Sequence, residues 1–470
     1  MSMPGSTDVD VAVVGAGVSG LATAFELQRR GMMVEVLESE SRPGGVIGTM
    51  HRGGALYETG PNSVLDSTPV VAEVLDALGI RGQRVEASAV AATRYIVRDD
   101  QLVPLPTSPG AFFMSPAFSP GAKFRLWREP FIAPAPADVE ESIAAFALRR
   151  LGAEILDYAI DPFVAGVYAG DPERLSLAAA FPRIHALEQK YGSIIRGQIS
   201  AARERRQNAP KAAAAGGSFS FRSGMQTLTD ALARAVGRVT HGANVERMGR
   251  SDDGRWILTG TRHGNPLVRR AKSVVLAVPA DVAATLVRAL APAAAQELAA
   301  IPYPPLAIVA VAYRRADVAH SLAGFGFLVP KREQRKILGS LFSSSMFEGR
   351  APADTALITS FVGGMRQPEM AARPDAELAA IVHGELQALV GAGSDPLWTA
   401  TTRWRRAIPQ YNLGHREKLR AVDDAERALP GLGFCANYRG GVSVGDRLQA
   451  ARAMAETIAR FVGTGETGPA

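Results

Sequence analysis

An α/β fold in three parts is predicted by three features of the 470-residue sequence. A glycine turn sits between an apolar strand and a helix at the amino end, β-type segments return after residue 217, and a long stretch of helical spacing lies between. Val11-Ala-Val-Val-Gly15-Ala-Gly17-Val-Ser-Gly20 is an apolar run closing in G-x-G-x-x-G, and Leu21-Ala-Thr-Ala-Phe-Glu-Leu27 continues at helical period. In such a strand–turn–helix the first glycine permits the tight turn, and the second lets backbone approach a pyrophosphate. The third lets helix pack on strand, and the anion faces the positive end of the helix. Gly15, Gly17 and Gly20 are therefore expected to cradle a dinucleotide. The next apolar strand, Met33 to Leu37, ends at Glu38, near the separation of roughly 20 residues expected for the carboxylate that accepts the ribose hydroxyls. The same charge disfavours a 2′-phosphate, and with it NADP.

The residues after Glu38 narrow the cofactor. Ser39-Glu-Ser-Arg42-Pro-Gly44-Gly45 is a second glycine turn, carrying a guanidinium. An arginine with two exposed backbone amides suits the far half of a longer dinucleotide, FAD. At this point the chain resembles the flavin-dependent amine oxidase superfamily, whose E-x-x-x-R-x-G-G pattern is matched by Glu38, Arg42, Gly44 and Gly45.

Composition sets bounds. The chain is long enough for two or three domains, and 47% apolar with 21% charged residues marks it as globular. A single cysteine, Cys435, allows no intrachain disulfide and no redox cysteine pair, so electrons must pass through a bound cofactor. Seven histidines without ligand spacing predict no metal site. The polar segment Met1 to Asp10 does not read as a signal peptide, and no apolar run approaches the roughly 18 residues of a spanning helix. A cytoplasmic protein able to lie on the inner face of the cell membrane is expected. The net charge of +6 would suit an anionic lipid or a polycarboxylate substrate as well as a merely solvated surface, and no nucleic-acid partner is expected.

Composition breaks fall at Asp99 to Pro136 and at Asn208 to Gly217, the latter reading as a linker. Between them Val139 to Leu156 and Leu177 to Arg206 carry helical spacing. After the linker, Phe219 to Phe221, Val245 to Met248, Trp256 to Thr259 and Ser273 to Pro279 read as strands; Ile308 to Tyr313, Phe325 to Val329 and Leu357 to Val362 supply a second sheet. Val274-Val-Leu-Ala-Val278-Pro279 resembles the strand that re-enters the nucleotide fold in the superfamily. The fold class is thus α/β, with a discontinuous Rossmann-type FAD-binding domain (1–70, 218–300, 400–470), a mixed-sheet substrate domain (71–98, 301–399) and a helical insert (99–217). Substrate is expected between the two sheets, since ligand sites favour such junctions.

Further segments resemble the protoporphyrinogen oxidase family. Glu58-Thr-Gly60-Pro61-Asn62-Ser63 matches its turn beside the flavin ring. Gly324-Phe325-Gly326-Phe327-Leu328-Val329-Pro330 and Val362-Gly363-Gly364 match its substrate sheet, and Trp404-Arg-Arg-Ala-Ile408-Pro-Gln410-Tyr411-Asn412-Leu-Gly-His415 is close to Trp-x-x-x-Ile-Pro-Gln-Tyr-Asn-Leu-Gly-His. At the carboxyl end Gly441, Val442 and Asp446 align, but Arg447-Leu448 stands where that family has Cys-Ile.

The resemblance implies FAD-dependent removal of six electrons from a porphyrinogen in three two-electron turns, with hydride passing to flavin N5 and dioxygen as acceptor. It assigns Gly60, Pro61, Asn62, Val245, Trp404, Val442, Ser443 and Val444, with Ser39 and the amino-terminal set, to the cofactor. To the substrate it assigns Arg94 for a propionate, Asn62 as polar neighbour, Phe325, Gly326 and Leu328 as a ring clamp, and Leu341 and Phe361 as pocket walls. Taken alone, Arg94 reads as a solvated strand-end residue and the apolar positions as sheet core. No acid–base dyad is visible.

Phe112, Phe113, Phe118, Phe124, Trp127, Phe131 and Ile132, interleaved with Lys123, Arg125 and Arg128, suit a bilayer interface or a lid, with Ser119-Pro120 as a helix start. A membrane surface, the next heme-pathway enzyme and a second copy are the further candidate partners. The alternatives are oxidation of coproporphyrinogen III to coproporphyrin III, another flavin amine oxidase or desaturase, and a non-enzymatic flavin or porphyrin carrier.

Overall fold

The computed structural model describes residues 7–66, 68–106, 108–136, 138–208 and 217–464; most of the predicted linker 208–217 lies outside them. Two mixed seven-stranded sheets carry the fold. In the first, Val239–Thr240, Val34–Leu37, Thr7–Val14 and the far half of Asn265–Leu276 run parallel, and Leu432–Phe434 pairs parallel with Val274 to Leu276. This parallel core therefore draws on the amino end, the middle and the carboxyl end of the chain. The near half of Asn265–Leu276 extends past it into an antiparallel meander with Trp256–Arg262 and Ala243–Arg250. Val11, Val13, Val34 and Val36 face Leu21, Ala24 and Leu27 of the helix Val18–Gln28 and Leu448, Ala451 and Ala455 of the helix Val444–Thr464 in one buried cluster. The period-2 pattern of the strands and the small alanines of both helices make that close packing possible.

The second sheet runs in the order Trp398–Trp404, Leu306–Arg314, Thr355–Gly363, Gly339–Leu341, Gly326–Leu328, Tyr95–Arg98, Gln101–Pro104. One face, through Val309, Val311, Ile358 and Val362, buries against Leu378, Val382 and Leu386 of the helix Asp375–Val390. The opposite face turns toward the hairpin Thr49–Arg52/Ala55–Glu58, where Ala55 meets Ala310, Ala312 and Leu357.

The insert is more broken than its periodicity predicts. The expected helix over 139–156 begins only at Ile143, where the Ser142 side chain accepts from the Ala145 N–H; it ends at Arg150, before Gly152 at φ +91°, and a π turn follows over Leu156–Ile160. The expected helix over 177–206 is three helices, Leu177–Ala180, Pro182–Tyr191 and Ile194–Asn208, divided by Pro182 and by left-handed Gly192. Apolar spacing alone hides such breaks, because proline at a helix start and glycine at its end leave the stripe intact. Arg150, Glu129 and Glu188, all fully buried, tie the pieces together: Arg150 donates to both carboxylates at 2.6–2.7 Å, and Glu129 also accepts from Ser193 Oγ and the Ile194 N–H.

Candidate active site

The amino-terminal turn has the shape of an anion cradle. Gly15 has φ +102°, and a Cβ there would lie 2.6 Å from Ala277 O; a Cβ on Gly20 would lie 1.9 Å from Gly15 O. Both positions require glycine to seat the helix on the strands. Gly17 differs, since a Cβ there would meet nothing within 4 Å. It is the N-cap of Val18–Gln28, makes no side-chain cap bond, and no acidic residue occupies the first turn, so the first-turn amides remain available to an anion. The second glycine turn closes on the first: Gly44 N–H donates to Ala16 O at 2.8 Å, and Gly44 and Gly45 adopt φ of +112° and +58°. Glu38, 7% exposed, accepts from the Ala16 N–H at 2.6 Å and the Glu40 N–H at 2.8 Å, with Ser39 Oγ at 3.3 Å. Val245 is buried on the strand Ala243–Arg250, whose Ala243 N–H donates to Glu38 O. These groups fit the two ends of a dinucleotide.

Arg42 donates to Pro43 O, Ile47 O and Gly45 O at 2.9–3.1 Å. In this structure its guanidinium braces the turn it belongs to, and exposed Gly45 and Val46 form the outer surface of that turn. Gly60 is pressed on Val46, where a Cβ would stand 2.1 Å from its carbonyl oxygen. Pro61 follows, half-buried, and Asn62 Nδ2 donates to Gly60 O at 3.1 Å. Trp404 Nε1 donates to Thr59 O at 2.7 Å, fixing the edge of the second sheet to this turn.

Register places the predicted substrate residues. Leu328, Gly339, Phe361, Ile308 and Thr402 form one rung across five strands; Gly326, Leu341, Thr359, Ala310 and Ala400 form the next. Paired residues share a face, so Gly326, Leu328, Leu341 and Phe361 all belong to the face turned toward the nucleotide fold, as does Trp404, paired with Leu306. Neither rung contains a titratable side chain. Gly326 sits close to its neighbouring strand: at φ +143° a Cβ there would lie 2.1 Å from Ser340 O. Phe325 precedes this strand and packs with Leu341 near Met346 and Phe347. Arg94, just before the strand Tyr95–Arg98, is exposed, has its guanidinium 5.1 Å from the Phe325 ring centroid, and takes part in no ion pair among the described residues.

Two features were not singled out from the sequence. Gly166 of the helix Asp161–Tyr168 faces Leu328, whose Cδ2 is 2.7 Å from a would-be Cβ, with Phe163 and Val167 exposed beside it. Tyr411 and His415, four residues apart in the long matching string, stack at 4.3 Å; Tyr411 OH donates to Asn437 O and accepts from the Gly441 N–H, while His415 Nε2 donates to Tyr438 O. Their spacing of four was the available signal. This string supports Gly441, Val442, Ser443 and Val444, the last opening the carboxyl-terminal helix, from beneath. Burial lowers His415 to about 4 from an ordinary 6.5 and raises Tyr411 to about 12. Because the native state resists protonating His415 while the unfolded chain does not, stability present above pH 6.5 is lost as pH falls toward 4, by up to about 3 kcal/mol. Denaturant melts across that window are expected to show the decline in the parent and a flatter profile in His415→Gln; equal slopes would contradict it.

The model of flavin-containing amine oxidoreductases matches residues 18–459. The mitochondrial protoporphyrinogen oxidase of Nicotiana tabacum is 35% identical over 96% of this chain and 95% of its own, and protoporphyrinogen oxidase 2 of Arabidopsis thaliana is 34% identical over 96% and 94%. Coproporphyrinogen III oxidase of Bacillus subtilis is 25% identical over 94% and 96%. Among solved structures, a putrescine oxidase variant superposes with a TM-score of 0.72 at 19% identity, covering 96% of this chain and 99% of its own, which speaks to the fold. With strand, cradle and acid in place and the match running nearly end to end, the chain belongs to the flavin-containing amine oxidoreductase family.

Proposed function

We propose that this protein oxidises protoporphyrinogen IX to protoporphyrin IX, with FAD as its cofactor and dioxygen as acceptor. The observation that carries the reading is the uncharged sheet face, Leu328, Leu341, Phe361, Ile308 and Ala310 in two adjacent rungs, with an exposed arginine at its margin that makes no ion pair among the described residues. A broad apolar ring with charged propionates fits that pairing of surfaces. Bound FAD supplies the hydride acceptor for each two-electron step. The chain supplies position: Arg94 holds a propionate, Phe325 and Leu328 grip the ring, and the aliphatic rungs exclude water. Thr359, the hydroxyl of the inner rung, is engaged with Ser343 Oγ at 2.9 Å. The two plant relatives named above, 34–35% identical, are protoporphyrinogen oxidases by name, and the coproporphyrinogen relative, at 25%, is more distant. Under air, porphyrin fluorescence should therefore rise faster with protoporphyrinogen than with coproporphyrinogen; the reverse order would favour the four-propionate substrate.

The insert bears the surface that brings a greasy substrate within reach. Of the seven apolar positions named above, Phe118 is buried, the Phe112 ring meets it at 5.0 Å in a tilted contact, and Ile132 is half-buried. Phe113, Phe124, Trp127 and Phe131 are 50–75% exposed, the last three forming a row of ring contacts near 6 Å with Arg128 exposed among them. Exposed rings beside cations suit the headgroup region of a bilayer, and among the described residues no helix is long and apolar enough to cross one. Trp127→Ser/Phe131→Ser is expected to reduce co-flotation with anionic vesicles at least fivefold without loss of turnover on detergent-dispersed substrate; unchanged flotation would contradict this docking face.

A further inference from the structure

Arg447 lies in the first turn of the helix Val444–Thr464. It is 2% exposed. Its Nη1 donates to Ala436 O at 2.7 Å, while Nε and Nη2 have no hydrogen-bond partner among the described residues. The adjacent carboxylate, Asp446, is taken up by Ser443, accepting from its N–H at 3.3 Å and its hydroxyl at 2.6 Å, and Arg447 takes part in no ion pair among the described residues. Three costs therefore fall on one side chain. A cation is buried without a counter-charge, two of its donors are idle, and it sits at the positive end of a helix dipole, which favours anions. An arrangement so unfavourable by itself calls for negative charge from a ligand.

The direction of the side chain says where. Nη2 lies 3.3 Å from the place a Cβ on Gly440 would occupy, so the guanidinium is lodged behind the Gly440–Gly441 turn that leads directly into Val442, Ser443 and Val444. The resemblance gives that stretch to the cofactor and implies contact with the pyrimidine and ribityl end of the flavin. Resting on the reading of this protein as an FAD enzyme, we propose that Arg447 is a positioning residue whose charge, carried behind the Gly440–Val444 turn, favours the reduced and more negative form of bound FAD over the oxidised form. A unit charge in a poorly screened interior shifts such a ratio by tenfold or more. A brace for Ala436 O alone would not need a full charge.

The test is the equilibrium reduction of holo-protein against a reference dye, for the parent, Arg447→Lys, Arg447→Gln and Arg447→Met. The neutral variants are expected to lower the preference for reduced over oxidised FAD at least tenfold, which for a two-electron couple is a potential about 30 mV lower, with lysine retaining most of the parent value. The cofactor-free form of Arg447→Met should melt no lower than the cofactor-free parent, and its gain on adding FAD should be smaller. Equal potentials in all four proteins, each still yellow, would overturn the proposal and leave the FAD reading intact. Should the neutral variants not fold, the parent alone decides: its bound FAD must have a higher potential than free FAD, and a lower one overturns the assignment. A parent that takes up no FAD would instead refute the underlying reading.

Discussion

Gly17→Ala should yield a folded protein that has lost its colour, while Gly20→Ala should fail to fold. The two glycines are three residues apart in one motif, yet their surroundings differ in kind. An alanine Cβ at residue 20 would stand 1.9 Å from the carbonyl oxygen of Gly15, a residue whose own N–H is held by Leu37 O at 2.8 Å. Relief would require lifting the helix off the sheet, and overpacking of this sort costs about 3 kcal/mol or more. At residue 17 the added methyl meets no protein atom within 4 Å, and φ −69° with ψ 174° is ordinary extended backbone. The methyl would occupy only the space from which the first-turn amides reach a pyrophosphate. Thermal melts of cofactor-free Gly17→Ala should stay within about 2 °C of the parent, since a surface change without new contacts is worth little, while FAD affinity falls by about a hundredfold, or about 2.7 kcal/mol. Retained colour would show that no phosphate comes that close.

Arg94→Ala is expected to raise KM for the porphyrinogen at least about tenfold while leaving FAD affinity unchanged. The guanidinium is exposed, free of carboxylate partners among the described residues, and near the Phe325 ring at the end of the sheet face. A bond between a guanidinium and a carboxylate contributes about 1.5–3 kcal/mol, which fixes the scale of the loss. Arg94→Lys keeps the charge but not the two-pronged geometry and should recover part of it. Titration of cofactor-free protein with FAD separates the roles, because equal weakening of cofactor and substrate would mean that Arg94 supports the fold and does not hold a propionate.

The nucleotide half was readable because its constraints are local. A turn that needs φ +102° at Gly15, and a carboxylate one strand further on, leave their mark within a few tens of residues. The second sheet was readable as strands but not as a surface: that Leu328, Phe361 and Ile308 share a rung follows from pairings between segments far apart in sequence, which no period along one strand reveals. Its assembly also brings Gly326 against the neighbouring strand, where a Cβ would meet Ser340 O. The insert was least legible, because Pro182 and Gly192 redirect the chain without disturbing the apolar stripe, and because the buried Glu129–Arg150–Glu188 group looks, residue by residue, like an ordinary charged surface. Tyr411 and His415 stood in a string long enough to suggest kinship, but their work, holding the Asn437–Gly441 turn, is visible only once the carboxyl-terminal segment is in place.

The central claim is that the uncharged face of the second sheet holds a porphyrinogen against FAD seated on the amino-terminal fold. Anaerobic titration of the yellow holo-protein with protoporphyrinogen IX tests it most directly. The flavin absorbance should bleach, with one porphyrin formed for every three flavins reduced, and should return on admitting air. Flavin that stays oxidised through the titration, with the porphyrinogen unchanged, would contradict it.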